Sequence, residues 1–254
     1  MPAPRTVRSY IANGRSFAQI WRESSLRGVV VQNQTDQIVW REGDTPVSTL
    51  FDDPFFSLED GVAETEHVFL AGNDLPARFS SDFHIAELGF GTGLNLLVAW
   101  DAWVRSGQAG ALQFTSFEAF PMTQPDMARA HQAFPAFDGR RDALTQAWGG
   151  QGGVIELPGL RAEIIEGDAR ETLPQWQAQA DAWFLDGFSP AKNPELWSAE
   201  LMQHVASHTA RDGTAATYTA AGFVRRGLAE AGFDVARVAG YGRKRHMTRA
   251  RMPT

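Results

Sequence analysis

Cysteine is absent from the 254 residues, which excludes disulfide frameworks, thiolate nucleophiles and cysteine-based zinc sites. Long apolar runs are absent too. The longest, LNLLVAW from Leu94, falls far short of the roughly 20 residues a membrane span needs. The first 20 residues carry Arg5, Arg8 and Arg15 but no continuous apolar stretch with a small-residue cleavage site, so they do not read as a secretory signal. These absences fit a cytoplasmic protein. No low-complexity tract or fixed-period repeat occurs, and 43% of the residues are hydrophobic and 21% charged, enough to bury a core. The length favours one large domain with an appendage.

A basic surplus is also missing. The net charge of −7 by itself speaks against a nucleic-acid partner. The deficit is uneven, however: residues 222–254 hold eight Arg or Lys against two Asp or Glu, net +6, leaving −13 on residues 1–221. A basic C-terminal strip follows an acidic body.

Residues 1–35 read as a polar N-terminal extension. Residues 36–80 alternate short apolar runs with turn signals such as Asp53-Pro54, which predicts a small β-rich lead-in packed on the main domain. Over residues 81–254 strands alternate with helices, the pattern of βαβ units and a mostly parallel sheet. Segments 83–90, 113–120, 161–168, 181–188 and 214–220 read as strands. Leu94 to about Arg105 reads as a helix, with Leu96, Leu97, Trp100, Trp103 and Val104 at helical spacing. Asn193-Pro194 predicts a helix to about Thr209, ended by Asp212-Gly213. A helix from Ala221 to Ala231 and a terminal antiparallel hairpin over 233–240 and 245–252 complete the pattern.

The first chemical signal is Glu87-Leu88-Gly89-Phe90-Gly91-Thr92-Gly93 at a strand-to-helix junction, where glycines let backbone amides approach a ligand. The spacing is Gly-x-Gly-x-Gly with an acid two residues before it, unlike the Gly-x-Gly-x-x-Gly of dinucleotide dehydrogenases. An acid so close to the turn suits a cationic amine, such as the amino acid end of S-adenosylmethionine. Glu118 ends the second strand, where a carboxylate can accept from ribose hydroxyls. Asp168 ends the third, where it can meet an adenine amino group. Asp186 ends the fourth, beside the expected sulfonium methyl, and Phe188, Pro190 and Pro194 follow as an apolar wall.

These segments resemble a known family, the tRNA 5-methylaminomethyl-2-thiouridine methyltransferases, the S-adenosylmethionine-dependent half of bifunctional MnmC. The resemblance runs from about Gly43 to Met247. It rests on GDTPVSTLFDDPFFS, EHVFLAGN, ELGFGTGLN, SFEAFP, DAWFLDGFSPAKNPELW, AGFVRRGLAEAGF and GYGRKRHM. It implies a Rossmann-like class I methyltransferase fold that methylates the amine of 5-aminomethyl-2-thiouridine at the tRNA wobble position. Carried over by motif, Glu87, Gly89, Gly91, Gly93, Glu118 and Asp168 would hold the cofactor, with Phe90, Thr92, Asn95 and Ala169 beside them. Asp186 would be catalytic, and Asp52 to Ser57 would line the same pocket. Bifunctional members continue into a flavin-dependent oxidase that this sequence does not show. The expectation is therefore that other enzymes supply the aminomethyl substrate.

On this reading the basic strip meets the tRNA anticodon stem-loop. Arg225, Arg226, Arg243, Lys244, Arg245 and Arg249 are candidates for phosphates, and Lys192 for a phosphate or the base. Glu200, His204 and His208 share a helical spacing, but Val205 breaks the zincin pattern, and no metal is expected. Trp100, Trp103 and Trp183 read as core; Trp197, close to Asp186, is a candidate for the pocket. Three other readings stay open: a nicotinamide oxidoreductase, which the glycine spacing opposes; an aminopropyltransferase-like enzyme on another amine; and a non-catalytic RNA-binding protein.

Overall fold

The computed structural model describes residues 38–41, 44–57 and 60–254, so the extension expected over residues 1–35 lies outside the described residues. Three short strands come first: β1 (Ile38–Arg41), β2 (Thr45–Ser48) and β3 (Asp53–Pro54), paired antiparallel in that order. The β-rich expectation stops there. Asp60 accepts a hydrogen bond from the Ala63 N–H and caps α1 (Gly61–Thr65), and the chain stays helical through a π turn, Glu66–Leu70, and a 3-10 turn, Ala71–Asn73. The run Val68, Phe69, Leu70 that resembled a strand is buried because this segment lies against the main sheet. Asn73 fastens it by donating to the Phe69 and Trp183 carbonyls, and Arg78 by donating to those of Asn73, Asp181 and Asp212.

The main sheet is built from β4 (His84–Leu88), β5 (Leu112–Glu118), β6 (Gly153–Leu157), β7 (Leu160–Glu166), β8 (Ala180–Leu185), β9 (Thr209–Thr217), β10 (Asp234–Ala239) and β11 (His246–Arg251). Their order is β10-β11-β9-β8-β4-β5-β7-β6. From β9 to β7 all neighbours are parallel; β6 pairs antiparallel with β7, and β11 pairs antiparallel with both β9 and β10. The expected terminal hairpin is thus present, and it forms one edge of a Rossmann-like α/β sheet.

The helices are α2 (Leu94–Ser106), α3 (Gln124–Ala130), α4 (Asp138–Ala147), α5 (Ala169–Thr172), α6 (Ala199–Ser207) and α7 (Gly222–Glu230). Strand alternation sends side chains to two cores. Ile85, Phe114 and Phe184 face α2 and the segment containing Phe69, whereas Ala86, Phe117, Trp183 and Leu185 face α6 and α7. Because both faces are covered, the central strands read as nearly continuous apolar runs.

Two expectations are corrected. The single helix from Asn193 to Thr209 is a 3-10 turn, Pro194–Trp197, followed by α6. Extended Ser198 breaks the run and recaps it by accepting from the Leu201 N–H, while Asn193 makes no side-chain cap bond. Asp212-Gly213 ends no helix but lies inside β9, which begins at Thr209, and Asp212 takes φ 58° where the register with β8 shifts. Residues 121–157, where the sequence pattern marks no element, form α3, α4 and β6.

Candidate active site

Strand order reverses between β4 and β8, since β5 and β7 lie on one side of β4 and β8 and β9 on the other. Loops leaving the C-terminal ends of two such strands open the crevice in which α/β sheets bind ligands. The β4 loop is the glycine turn; the β8 loop starts at Asp186. Gly89 has φ 87°, and a Cβ there would meet Asp186 O and Gly187 Cα at 3.2 Å, so glycine is what lets the two loops touch. On the far side of the turn, the Thr92 carbonyl accepts from buried His131 Nε2 at 2.7 Å.

A cavity of about 520 Å³ fills this crevice, the size of a small-molecule site. Gly89, Phe90, Gly91, Thr92 and Asn95 reach it from the turn and α2, and Glu118, Asp168 and Ala169 from the ends of β5 and β7. Asp186 and Phe188 come from the β8 loop, and Arg243 and Lys244 from the β10–β11 loop. The lead-in adds Phe51 and the run Asp53 to Ser57, so of the segment Asp52 to Ser57 that the family resemblance pointed to, all but Asp52 line the cavity. Phe188 stacks on Phe51 with ring centroids 4.6 Å apart, and Phe55 meets it edge-on at 5.2 Å. Gly93 stands outside the wall, where it caps α2 with φ 74°.

Glu87 departs from its expected role. It is completely buried and absent from the cavity wall. Its position inside β4 turns the side chain into the protein, where Oε2 accepts from Ser116 Oγ at 2.7 Å and Oε1 from Asn95 Nδ2 at 2.8 Å. The same Asn95 nitrogen donates to Asp186 Oδ2 at 2.7 Å, and Thr65 Oγ1 donates to Asn95 Oδ1 at 2.9 Å. Glu87 therefore reaches the site only through Asn95. Burial pushes its carboxyl well above the usual carboxylate range, against the pull of its two hydrogen bonds.

Asp186 is raised to about 6, chiefly by burial, while the Gly187 N–H (2.8 Å to Oδ1), Asn95 and the Lys244 charge hold it down. Burial also raises Glu118, which accepts from the N–H groups of Gly91 (3.0 Å) and Phe120 (2.8 Å). Asp168 is not the free acceptor the sequence suggested. Its carboxylate caps α5 and receives Arg170 through Nε and Nη2 at 2.5–3.1 Å, so a ligand there meets an acid already neutralised by a guanidinium.

The basic residues separate into groups. Lys192 does not line the cavity: it donates to the Asp52 carbonyl and to Asp53 Oδ1 at 3.2 Å, and with the Ser189 N–H, which donates to Asp53 Oδ2 at 2.8 Å, it fastens the lead-in to the β8 loop. Arg225 is half-buried and donates to the Ala220 carbonyl, whereas Arg226 and Arg245 are exposed outside the cavity wall. Arg249 leaves the group altogether, because it and Arg251 both pair with Asp74. Trp197 is buried beneath the site and holds the β8 loop by donating to the Phe188 carbonyl at 2.9 Å. His204 and His208 are joined by a ring-nitrogen to carbonyl bond, and among the described residues no His, Asp and Glu cluster is arranged to hold a metal. Nor, among the described residues, is any helix long and apolar enough to cross a membrane.

Sequence reasoning missed Thr65, Ser116, Arg170 and Tyr218. Thr65 and Ser116 carry no motif, and their partners lie 30 and 29 residues away. Arg170 had a signal, since a residue two positions after a capping acid is placed to pair with it.

Residues 141–253 match a family described as S-adenosyl-L-methionine-dependent methyltransferase. The tRNA 5-methylaminomethyl-2-thiouridine biosynthesis bifunctional protein MnmC of Stutzerimonas stutzeri is 44% identical over 86% of this chain, and that of Pseudomonas aeruginosa 45% identical over 84%. The chain spans about a third of the length of these relatives, 35% and 34% respectively. The crystal structure of MNMC2 from Aquifex aeolicus, at 22% identity, has the same fold, with a TM-score of 0.67 over 94% of this chain and 85% of that one.

Proposed function

We propose that the chain is an S-adenosyl-L-methionine-dependent methyltransferase of the MnmC type and that it methylates the primary amine of 5-aminomethyl-2-thiouridine at the wobble position of tRNA. One observation carries the reading: a chain 44% identical over 86% of its length to a bifunctional MnmC protein has one cavity that holds the glycine turn, Glu118 and Asp186 together. The working compartment on this reading is the cytoplasm, the partner is the tRNA anticodon stem-loop, and other enzymes supply the aminomethyl group.

The cavity suits the cofactor. Its volume is that of a nucleoside-sized site, a Cβ on Gly91 would crowd Phe55 Cδ1 at 3.3 Å, and Glu118 stands at the β5 end as an acceptor for ribose hydroxyls. Gly89, Phe90, Gly91 and Thr92 would bind it through the turn, with Glu118, Asp168 and Ala169 at the adenosine end. When bound, S-adenosylmethionine supplies an electrophilic methyl group that only a neutral, in-line amine can accept.

An alkyl amine resembles lysine, with a pKa near 10.4, and arrives protonated. Asp186, at about 6, is a carboxylate at neutral pH and takes that proton. The gap between the two values corresponds to about 6 kcal/mol against proton transfer, which the site has to narrow. Phe51, Phe55 and Phe188 form an apolar wall that disfavours the ammonium, while Asn95 and Gly187 hold the Asp186 oxygens in place. Incubation with methyl-labelled cofactor and tRNA ending in the aminomethyl group should place label in the wobble nucleoside; label elsewhere, or none, overturns the reading. Asp186→Ala should lose turnover by about a thousandfold or more while cofactor binding survives.

A further inference from the structure

The chain has two lysines, and Lys244 projects into the cavity. Its ammonium donates to Glu64 Oε1 at 2.8 Å and sits 4.0 Å from the centre of the Tyr218 ring. Both partners are fixed in advance. Glu64 is largely buried, at 13% side-chain exposure, and precedes Thr65, which orients Asn95. The Tyr218 hydroxyl donates to the Gly187 carbonyl at 2.8 Å, next to Asp186, and the ring packs edge-on against Trp197. A carboxylate and an aromatic face converging on one point are the usual recognition elements for an alkylammonium ion. That point lies in the same cavity as Asp186.

We propose that Glu64 and the Tyr218 ring form the subsite that recognises the substrate's protonated amine, and that Lys244 occupies it as an internal surrogate until the substrate arrives. The inference rests on the amine-methylating reading above and deepens it by naming the residues that select a cation. Exchange is cation for cation. The incoming ammonium replaces Lys244 on Glu64, Lys244 swings toward solvent at the cavity mouth, and the substrate proton then passes to Asp186. Glu64 is thus a binding residue; the proton acceptor is Asp186. A simple ion pair stapling α1 to the β10–β11 loop would predict no link between Lys244 and amine affinity.

The test is a calorimetric titration of n-propylammonium into the full chain with S-adenosylhomocysteine present, using 1-propanol as the neutral control. Removing the internal competitor in Lys244→Met should tighten n-propylammonium about fivefold or more, the weight of one desolvated cation–π and ion-pair contact. Glu64→Gln should weaken it about tenfold or more, as loss of a charged hydrogen-bond acceptor does. S-adenosylhomocysteine affinity should be the same in all three proteins and reports that each is folded. Unchanged n-propylammonium affinity in either variant, equal effects on 1-propanol, or no binding even in Lys244→Met overturns the subsite. If the amine pattern holds while tRNA remains unlabelled in the wild type, the subsite stands and the tRNA reading falls; the opposite pair of results has the opposite meaning.

Discussion

Asn95 uses its one amide nitrogen on two carboxylates, Glu87 behind it and Asp186 in front. Thr65 fixes which way the amide faces. The hydrogen bond to Asp186 favours its charged form, so it lowers a pKa that burial has raised. On the proposed reading Asp186 must be deprotonated to accept the amine's proton, so kcat/KM for methylation should fall as pH drops through about 6. In Asn95→Ala that acid limb should move to higher pH and turnover should drop about tenfold or more; a limb that stays in place would separate Asn95 from Asp186. Stability carries the opposite sign. The native state holds the Asp186 proton more tightly than an unfolded chain with a pKa of 3.8, so stability from this group is present at low pH and is lost as pH rises toward 6 and above. At this scale the acids at strand ends were legible because they flank a glycine turn. Whether such an acid faces ligand or core was not, because Glu87 is separated from the cavity by Asn95, which the chain places eight positions later.

Among the elements, the β8 loop depends on Gly187. Its φ is 132°, and a Cβ there would lie 2.4 Å from Leu196 Cδ2, so Gly187→Ala has to move either the loop or Leu196. The expected outcome is a loss of about 1–3 kcal/mol in stability by thermal unfolding and a fall in single-turnover methylation of about tenfold or more, with a smaller change in cofactor affinity. A second prediction concerns the join between lead-in and loop. Lys192→Met removes the cation that ties Asp52 and Asp53 to this loop, and cofactor Kd should rise several-fold as the Phe51–Phe188 wall loosens; an unchanged Kd would mean that the Ser189 bond to Asp53 suffices. The central strands and α2 were legible because burial on both faces gives clear patterns. The α4 helix was not, since Leu144 is its one fully buried residue, and β6 was not, since it is a largely exposed edge strand. The helix expected from Asn193 failed because extended Ser198 interrupts the run and makes the side-chain cap bond that Asn193 does not.

Over the whole molecule, the +6 strip does not act as one surface. Topology brings the start of α7 and the β10–β11 loop to the edge where the parallel strands end, next to the cavity, whereas Arg249 and Arg251 pair with Asp74 on the lead-in. On the proposed reading, charge reversal at Arg243 and Arg245 should weaken tRNA binding and flatten its salt dependence by about 0.7–0.9 for each phosphate no longer neutralised. Arg249→Ala should leave that slope unchanged and lower the melting temperature instead. Equal salt slopes in both variants would remove the β10–β11 loop from the RNA-binding face.

The way residues 61–79 lie on the sheet also sets an order of events during synthesis. Phe69 packs on Phe184, and Asn73 is held by the Trp183 carbonyl and the Thr214 hydroxyl, so its partners belong to β8 and β9. At roughly 5–20 residues per second, the ribosome takes on the order of ten seconds to travel from this segment to the end of β9. Val68, Phe69 and Leu70 lack their β8 and β9 cover for that interval, so the expectation is that the fold closes late, from its C-terminal third back onto its N-terminal part. Nascent chains arrested before Thr209 should therefore be cleaved by protease within residues 61–79, and chains extended past β11 should be protected there.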